Sequence, residues 1–282
     1  MRFEDSAIRR IDSDRRSPDY LHPIIEKAAE KARVLMSRDA IDPSDFIHPY
    51  GEQSVMRDLA TVERLRTKFE TTDPHKKYAD VLESILYEHI EQSNWFGESA
   101  TTIKTSHYDD IINGIDLIVE FEEASKSLSH LGLAVDITFG TTSMQKKFQT
   151  IRSEIEAGTL AEVKYFESER SPHKGLYQKL PRVVIGAERE HVIKLAAMWL
   201  DPKRKKEFSD HPIQKVILTE ISTQLQQFKE YAASVNRQEL VPIFDRQLGI
   251  IRKILSSKSR ISTEDYKEDK VVEAIRSQLE LF

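Results

Sequence analysis

The chain predicts an α/β fold: an αβββαβ core over residues 73–186, with helical additions before it (1–72) and after it (187–282). Three observations predict this. Apolar residues recur at helical spacing up to about residue 96, switch to strand-like runs from Thr101, and return to helical spacing beyond Gly186. An Asn113-Gly114 pair sits between two of the strand-like runs. Finally, Asp136 is the lone acid in residues 131–139, LGLAVDITF. A carboxylate in such a strand loses its hydration, so it calls for a metal, a cation or a raised pKa.

Residues 1–20 mix charges, Ser and Pro with few apolar anchors and read as an arm. Helices are expected over 21–38 and, after the loop holding Pro43 and Pro49, over 52–69. Pro74 precedes a third helix, with Tyr78, Val81, Leu82, Ile85, Leu86 and His89 on one face and Glu83 and Glu88 at its flanks, ending near Trp95-Phe96-Gly97. Strands over 102–112 and 115–121 are joined by the Asn113-Gly114 turn, and Asp116 opens the second. A third strand covers 131–139. Met144, Lys147, Phe148, Ile151 and Ile155 then follow helical spacing until Gly158, and 161–167 gives the fourth strand of the core. A polar loop around 171–175 leads to an apolar strand at 182–186, and amphipathic helices follow around Ile213–Phe228 and Ile243–Leu255.

Composition narrows the function classes. With 32% charged and 39% hydrophobic residues and a mean hydropathy of -0.50, a folded, soluble chain is expected. No apolar run approaches the ~20 residues a bilayer requires, and the first residues lack a secretory apolar segment, so a cytoplasmic protein without a membrane partner is expected. Zero cysteines exclude disulfides, thiolate nucleophiles and cysteine zinc sites. The sequence holds no HExxH, GxxxxGK[ST], GxGxxG or serine-elbow motif, which leaves zinc hydrolysis, nucleotide-dependent transfer and serine chemistry without support. A net charge of -5 offers no global attraction to nucleic acid; a polyanion would have to be held by local basic patches or through a bound cation.

Glu83 on a helix, Gly114-Ile115-Asp116 at a strand start and Asp136-Ile137-Thr138 in the next strand resemble the PD-(D/E)XK nuclease superfamily, across residues 78–186. The resemblance implies a restriction-endonuclease-like core. It also implies Mg²⁺ or Mn²⁺ held by Glu83 (or Glu88), Asp116, Asp136 and the Ile137 carbonyl. The implied reaction is phosphodiester hydrolysis on DNA or RNA, with DNA the preferred partner; Asp116, Asp136 and Lys147 are the expected catalytic residues. One departure stands out: the family's lysine, two residues beyond the second acid, is Thr138 here. Lys147, on the inward face of the following helix, is the first substitute, ahead of Lys146 and Lys164. Two alternatives stay open. One is a catalytically inactive nuclease-like fold that binds nucleic acid or protein, with Thr138 marking lost chemistry. The other is a helical interaction protein that forms a homo-oligomer through the C-terminal helices.

Each candidate also has a plainer explanation. Asp116 reads as a turn residue beside Asn113-Gly114, Asp136 as an ion-pair partner of Arg182, Glu83 and Glu88 as solvated helix residues, and Lys147 as a lysine covering apolar surface with its stem. Asp109 and Asp110 read as edge-strand solubility charges or as ligands of a second metal. Lys203-Arg204-Lys205-Lys206 reads as a phosphate contact or a solvated helix end.

Overall fold

The computed structural model describes residues 21–69, 74–123, 125–136, 142–266 and 269–282. The expected arm, residues 1–20, lies outside them. Helix α1 (Pro23–Asp39) starts at His22, whose Nδ1 accepts the Ile24 N–H at 3.2 Å, with Pro23 in the first helical position. A 3₁₀ turn (Pro43–Phe46) and the single helical turn α2 (Ile47–Tyr50) lead into α3 (Glu52–Phe69), whose bounds are those expected from its sequence. In α4 (Pro74–Gln92) the apolar face Tyr78, Val81, Leu82, Ile85, Leu86 and Ile90 is at most 1% exposed. Each of these side chains contributes roughly 2 kcal/mol by leaving water, which holds α4 against the sheet and aims its acidic flank.

Strands β1 (Ala100–Lys104), β2 (Leu117–Glu122) and β3 (Leu128–Asp136) follow, then α5 (Thr142–Ala157), β4 (Ala161–Glu167), β5 (Lys174–Leu180) and β6 (Arg182–Gly186). The main sheet runs β1-β2-β3-β6: β1/β2 and β2/β3 are antiparallel, β3/β6 parallel, with Asp136 opposite Gly186. The protein is therefore mixed α/β with a small mixed sheet and helical ends. Helices α6 (Arg189–Trp199), α7 (Ile213–Ser234), α8 (Val241–Ser257) and α9 (Lys270–Leu279) complete the chain. One buried cluster reaches from Ile25 to Leu279 and takes in Leu117, Val119, Leu131, Leu133 and Val184 of the sheet. A second cluster packs Ile103, Ile115 and Ile118 against Val163, Phe166 and Leu180 of the β4–β5 ribbon.

Three sequence expectations are corrected. The strand that completes the main sheet is β6, not 161–167. β6 is buried at every residue, as a parallel strand covered on both faces must be, whereas β4 has solvated positions and pairs only with β5. Part of the expected polar loop is β5, whose KGLYQKL sequence lacks apolar alternation and is held by pairing such as Val163↔Tyr177. The strand expected over 102–112 stops at Lys104, and Asn113-Gly114 is not a hairpin turn. A wide π-type turn (Asp109–Asn113) intervenes, and Gly114 closes it at φ +65°, its N–H reaching the Asp110 carbonyl at 3.1 Å. The left-handed geometry that made Asn-Gly look like a hairpin is used here to end a helix.

Asp109, which was expected to be a strand-edge charge, shapes that turn. It is fully buried and accepts the main-chain N–H groups of Lys164 (2.7 Å) and Tyr165 (3.0 Å), the Ser106 hydroxyl and the Asn113 amide (both 2.7 Å). Asp109→Ala would strand these donors, so a loss of about 2–3 kcal/mol in urea unfolding is expected; a loss below ~1 kcal/mol would remove this staple role.

Side chains close both edges of the main sheet. On β1, Glu91 Oε1 accepts the Thr102 N–H (2.6 Å), and the Ile41 N–H donates to the Lys104 carbonyl (3.3 Å). On β6, the Gln224 amide both donates to the Val184 carbonyl (2.7 Å) and accepts its N–H (2.9 Å). Among the described residues no helix is long and apolar enough to cross a membrane.

Candidate functional site

One end of the sheet opens into a cleft of about 440 Å³. Its acidic side chains are Asp80 and Glu83 from α4, Asp110 from the π-type turn and Asp116 from the residue before β2. Lys104, the last residue of β1, lies in their midst with its side chain 3% exposed; Arg33, Arg66 and Lys76 add positive charge to the lining, and His107 completes it with an imidazole whose pKa burial lowers.

Lys104 Nζ is 2.9 Å from Glu83 Oε1 and 3.4 Å from Asp110 Oδ2, and it donates to the Asp116 carbonyl at 3.0 Å. At that distance Lys104 is the charged partner of the buried Glu83 carboxylate. Asp116 is fixed from two sides. Its N–H donates to the Leu133 carbonyl (3.0 Å), and its Oδ2 accepts the Val135 N–H (2.6 Å). A further hydrogen bond links its carboxyl to that of Asp110. Lys147 Nζ donates to the Val135 carbonyl at 2.7 Å, and its charge also acts on Asp116.

This crowding shifts the acids. Burial, then the charges of Asp110 and Glu83, hold the Asp116 carboxyl well above its ordinary range. Burial pushes Glu83 up to about 7 against the pull of Lys104, and pushes Asp80 up to about 6. Burial also opposes ionisation of Asp110, yet Lys104, the Asp116 hydrogen bond and His107 together hold it below its usual value. One buried ammonium cannot balance four carboxyls, so protons stay on part of the set. An added cation would release them.

The donor chemistry fits a hard divalent ion: carboxylate oxygens from three elements and an excess of acids over the one buried ammonium. Among the described residues no three His, Asp or Glu side chains already enclose one point. Asp136 ends β3, but its side chain lies outside the described set, as do Ile137 and Thr138.

Of the residues expected from sequence, Glu83 and Asp116 meet in the cleft and Lys147 reaches the end of β3. Glu88 points elsewhere: its carboxylate accepts the Trp199 indole N–H and stands 3.8 Å from Lys31. Among the described residues Arg182 binds the Asn113 carbonyl and Glu154 (2.7 Å); its expected partner Asp136 has its side chain outside that set. Lys146 is exposed, and Lys164 is engaged by Asp58 and Ser54 beneath the rings of Tyr50, Tyr108 and Tyr165. Lys203–Lys206 fall in a 3₁₀ turn (Pro202–Phe208) where Arg204 forks onto Glu207, which matches a solvated helical end. Lys104, His107 and the basic rim are additions to the expected set, and Asp110 lies in the cleft on the π-type turn and not on a strand edge. For Lys104 a signal existed: it is the one charge in the strand ATTIK, the same cue that singled out Asp136.

Comparison of the chain with protein-family models, curated proteins and solved structures gives no match.

The shifted acids make stability depend on pH. Glu83 has a folded value of about 7 against an ordinary 4.5, so its contribution is fully present below 4.5 and lost as pH rises through about 7. Without divalent ions, the urea midpoint should fall between pH 5 and pH 8. Glu83→Gln should flatten that decline, and a flat profile for the unaltered protein would contradict the assignment.

Proposed function

We propose that the protein is a Mg²⁺- or Mn²⁺-dependent nuclease acting on DNA in preference to RNA, with a PD-(D/E)XK-type site in the cleft. Above all, this is supported by the convergence of Glu83, Asp110 and Asp116 from separate elements around the buried Lys104, inside a basic rim. Further support comes from topology: a helix with an acid, an antiparallel strand pair with an acid at its start, and a neighbouring strand that ends in Asp136 and pairs in parallel with β6.

Glu83, Asp116, Asp136 and the Ile137 carbonyl would hold the ion, which when bound supplies an acidified water and offsets charge on the phosphate. The chain's own residues do the rest. Arg66 and Lys76 would attract phosphates to a protein of negative net charge, while Arg33 beside them is forked onto Glu30. Lys104 supplies a fixed positive charge within the acids, the role expected of the family's lysine, while Lys147 positions the end of β3 through the Val135 carbonyl. Asp110, hydrogen-bonded to Asp116, governs which of the pair carries a proton.

One observation favours the second reading, a nuclease-like binding module without catalysis: Lys104 already partly neutralises Glu83 and Asp110 without an ion. Incubating the purified protein with single- and double-stranded DNA and with RNA, in Mg²⁺, Mn²⁺ or EDTA, separates the two. Ion-dependent cutting that Asp116→Asn removes supports the nuclease; binding without cutting supports the module. Neither binding nor cutting sinks both.

A further inference from the structure

A second cavity, of about 200 Å³, lies between α7, α9 and the turn Glu264–Tyr266 and shares no lining residue with the acidic cleft. That volume far exceeds the ~15 Å³ a single water needs, so it accommodates a small organic molecule. Part of its wall is apolar: Val216 (9% exposed), Val272 (8%), Ile275 (1%) and Leu279 (5%), with the Tyr266 ring.

Among these walls sits Glu220, 6% exposed, with neither carboxyl oxygen hydrogen-bonded. A buried carboxyl left without partners is costly and rare. The neighbouring hydroxyls do not relieve it: Thr219 donates to the Lys215 carbonyl (2.7 Å) and Thr223 to the Thr219 carbonyl (2.9 Å). With their protons committed, both oxygens remain only as acceptors. The lining therefore offers one buried acid, the acceptor oxygens of Thr219 and Thr223, and the hydroxyls of Thr263 and Tyr266 among apolar side chains, with the exposed Arg276 as its cation. A divalent metal ion would find only one carboxylate, and an apolar ligand would leave Glu220 unsatisfied.

We propose that this cavity binds a small organic ammonium ion, its nitrogen donating to Glu220 and its alkyl body lying between α7 and α9. Burial, reinforced by the charge of Asp269 and opposed by Arg276, holds the empty Glu220 carboxyl well above its usual range. Burial without a partner favours its neutral form, and a cation at hydrogen-bonding distance supplies the charge that the ionised form lacks.

The test is a titration of the full chain, followed by backbone NMR shifts, with n-butylammonium and its neutral counterpart n-butanol. The ammonium ion should shift residues of α7 and α9 and bind at least about tenfold more tightly than the alcohol. Glu220→Gln, which keeps the side-chain shape, should erase that preference. Arg276→Glu, a change at an exposed position that leaves the core intact, should tighten ammonium binding a few-fold by removing a like charge. Equal binding of amine and alcohol, no binding of the amine, or preferences untouched by both substitutions would overturn the proposal.

Discussion

Asp116→Asn is expected to lower divalent-ion-dependent phosphodiester cleavage on the order of 10³-fold, the scale of losing a ligand whose ion supplies several kcal/mol. The fold should survive. Asparagine retains a side-chain oxygen for the Val135 N–H, and it imitates the protonated carboxyl that burial, Asp110 and Glu83 already favour at this position. In the absence of ions the variant should be as stable as the unaltered protein, or more so, because a strained acid has been removed. Single-turnover cleavage and urea unfolding, measured side by side, check both halves. Cleavage within tenfold of the unaltered protein would remove Asp116 from the chemistry, whereas a grossly unstable variant would show that the carboxylate is structural.

Lys104→Met carries the largest expected cost in stability. The side chain is 3% exposed and contacts Glu83, Asp110 and the Asp116 carbonyl, so its removal leaves buried acids without their cation. Breaking a buried ion pair from one side costs about 3–5 kcal/mol, and that range is expected here in urea unfolding without ions. Added Mg²⁺ should recover part of the loss, since an ion bound only to the folded state stabilises by mass action. Lys147→Met should cost less, because Lys147 is only half-buried. If the two substitutions prove equal, or if Mg²⁺ leaves the Lys104 variant unchanged, the division of roles between these lysines is wrong.

Helices were largely legible in the sequence because their signals are local. The loop holding Pro43 and Pro49 set the start of α3; Gly158, at φ +75°, marked the close of α5; and the buried face of α4 followed from spacing alone. The errors lie where distant residues decide. Asn113-Gly114 allowed either a hairpin or a helix end, and the choice fell to Asp109 through bonds to Lys164 and Tyr165, more than fifty residues away. β5 has no pattern of its own and exists because β4 lies beside it. At the candidate site, Glu83 and Asp116 were found as acids flanking apolar segments. Lys104 was passed over because its burial results from α4, the π-type turn and β2 closing around it.

The Gln224 amide on β6 and the Glu91 carboxylate on β1 act as substitutes for a missing neighbour strand. A stray peptide arriving at either flank therefore finds rungs there already taken. The main sheet is thereby guarded at both flanks against taking on a further strand from another copy.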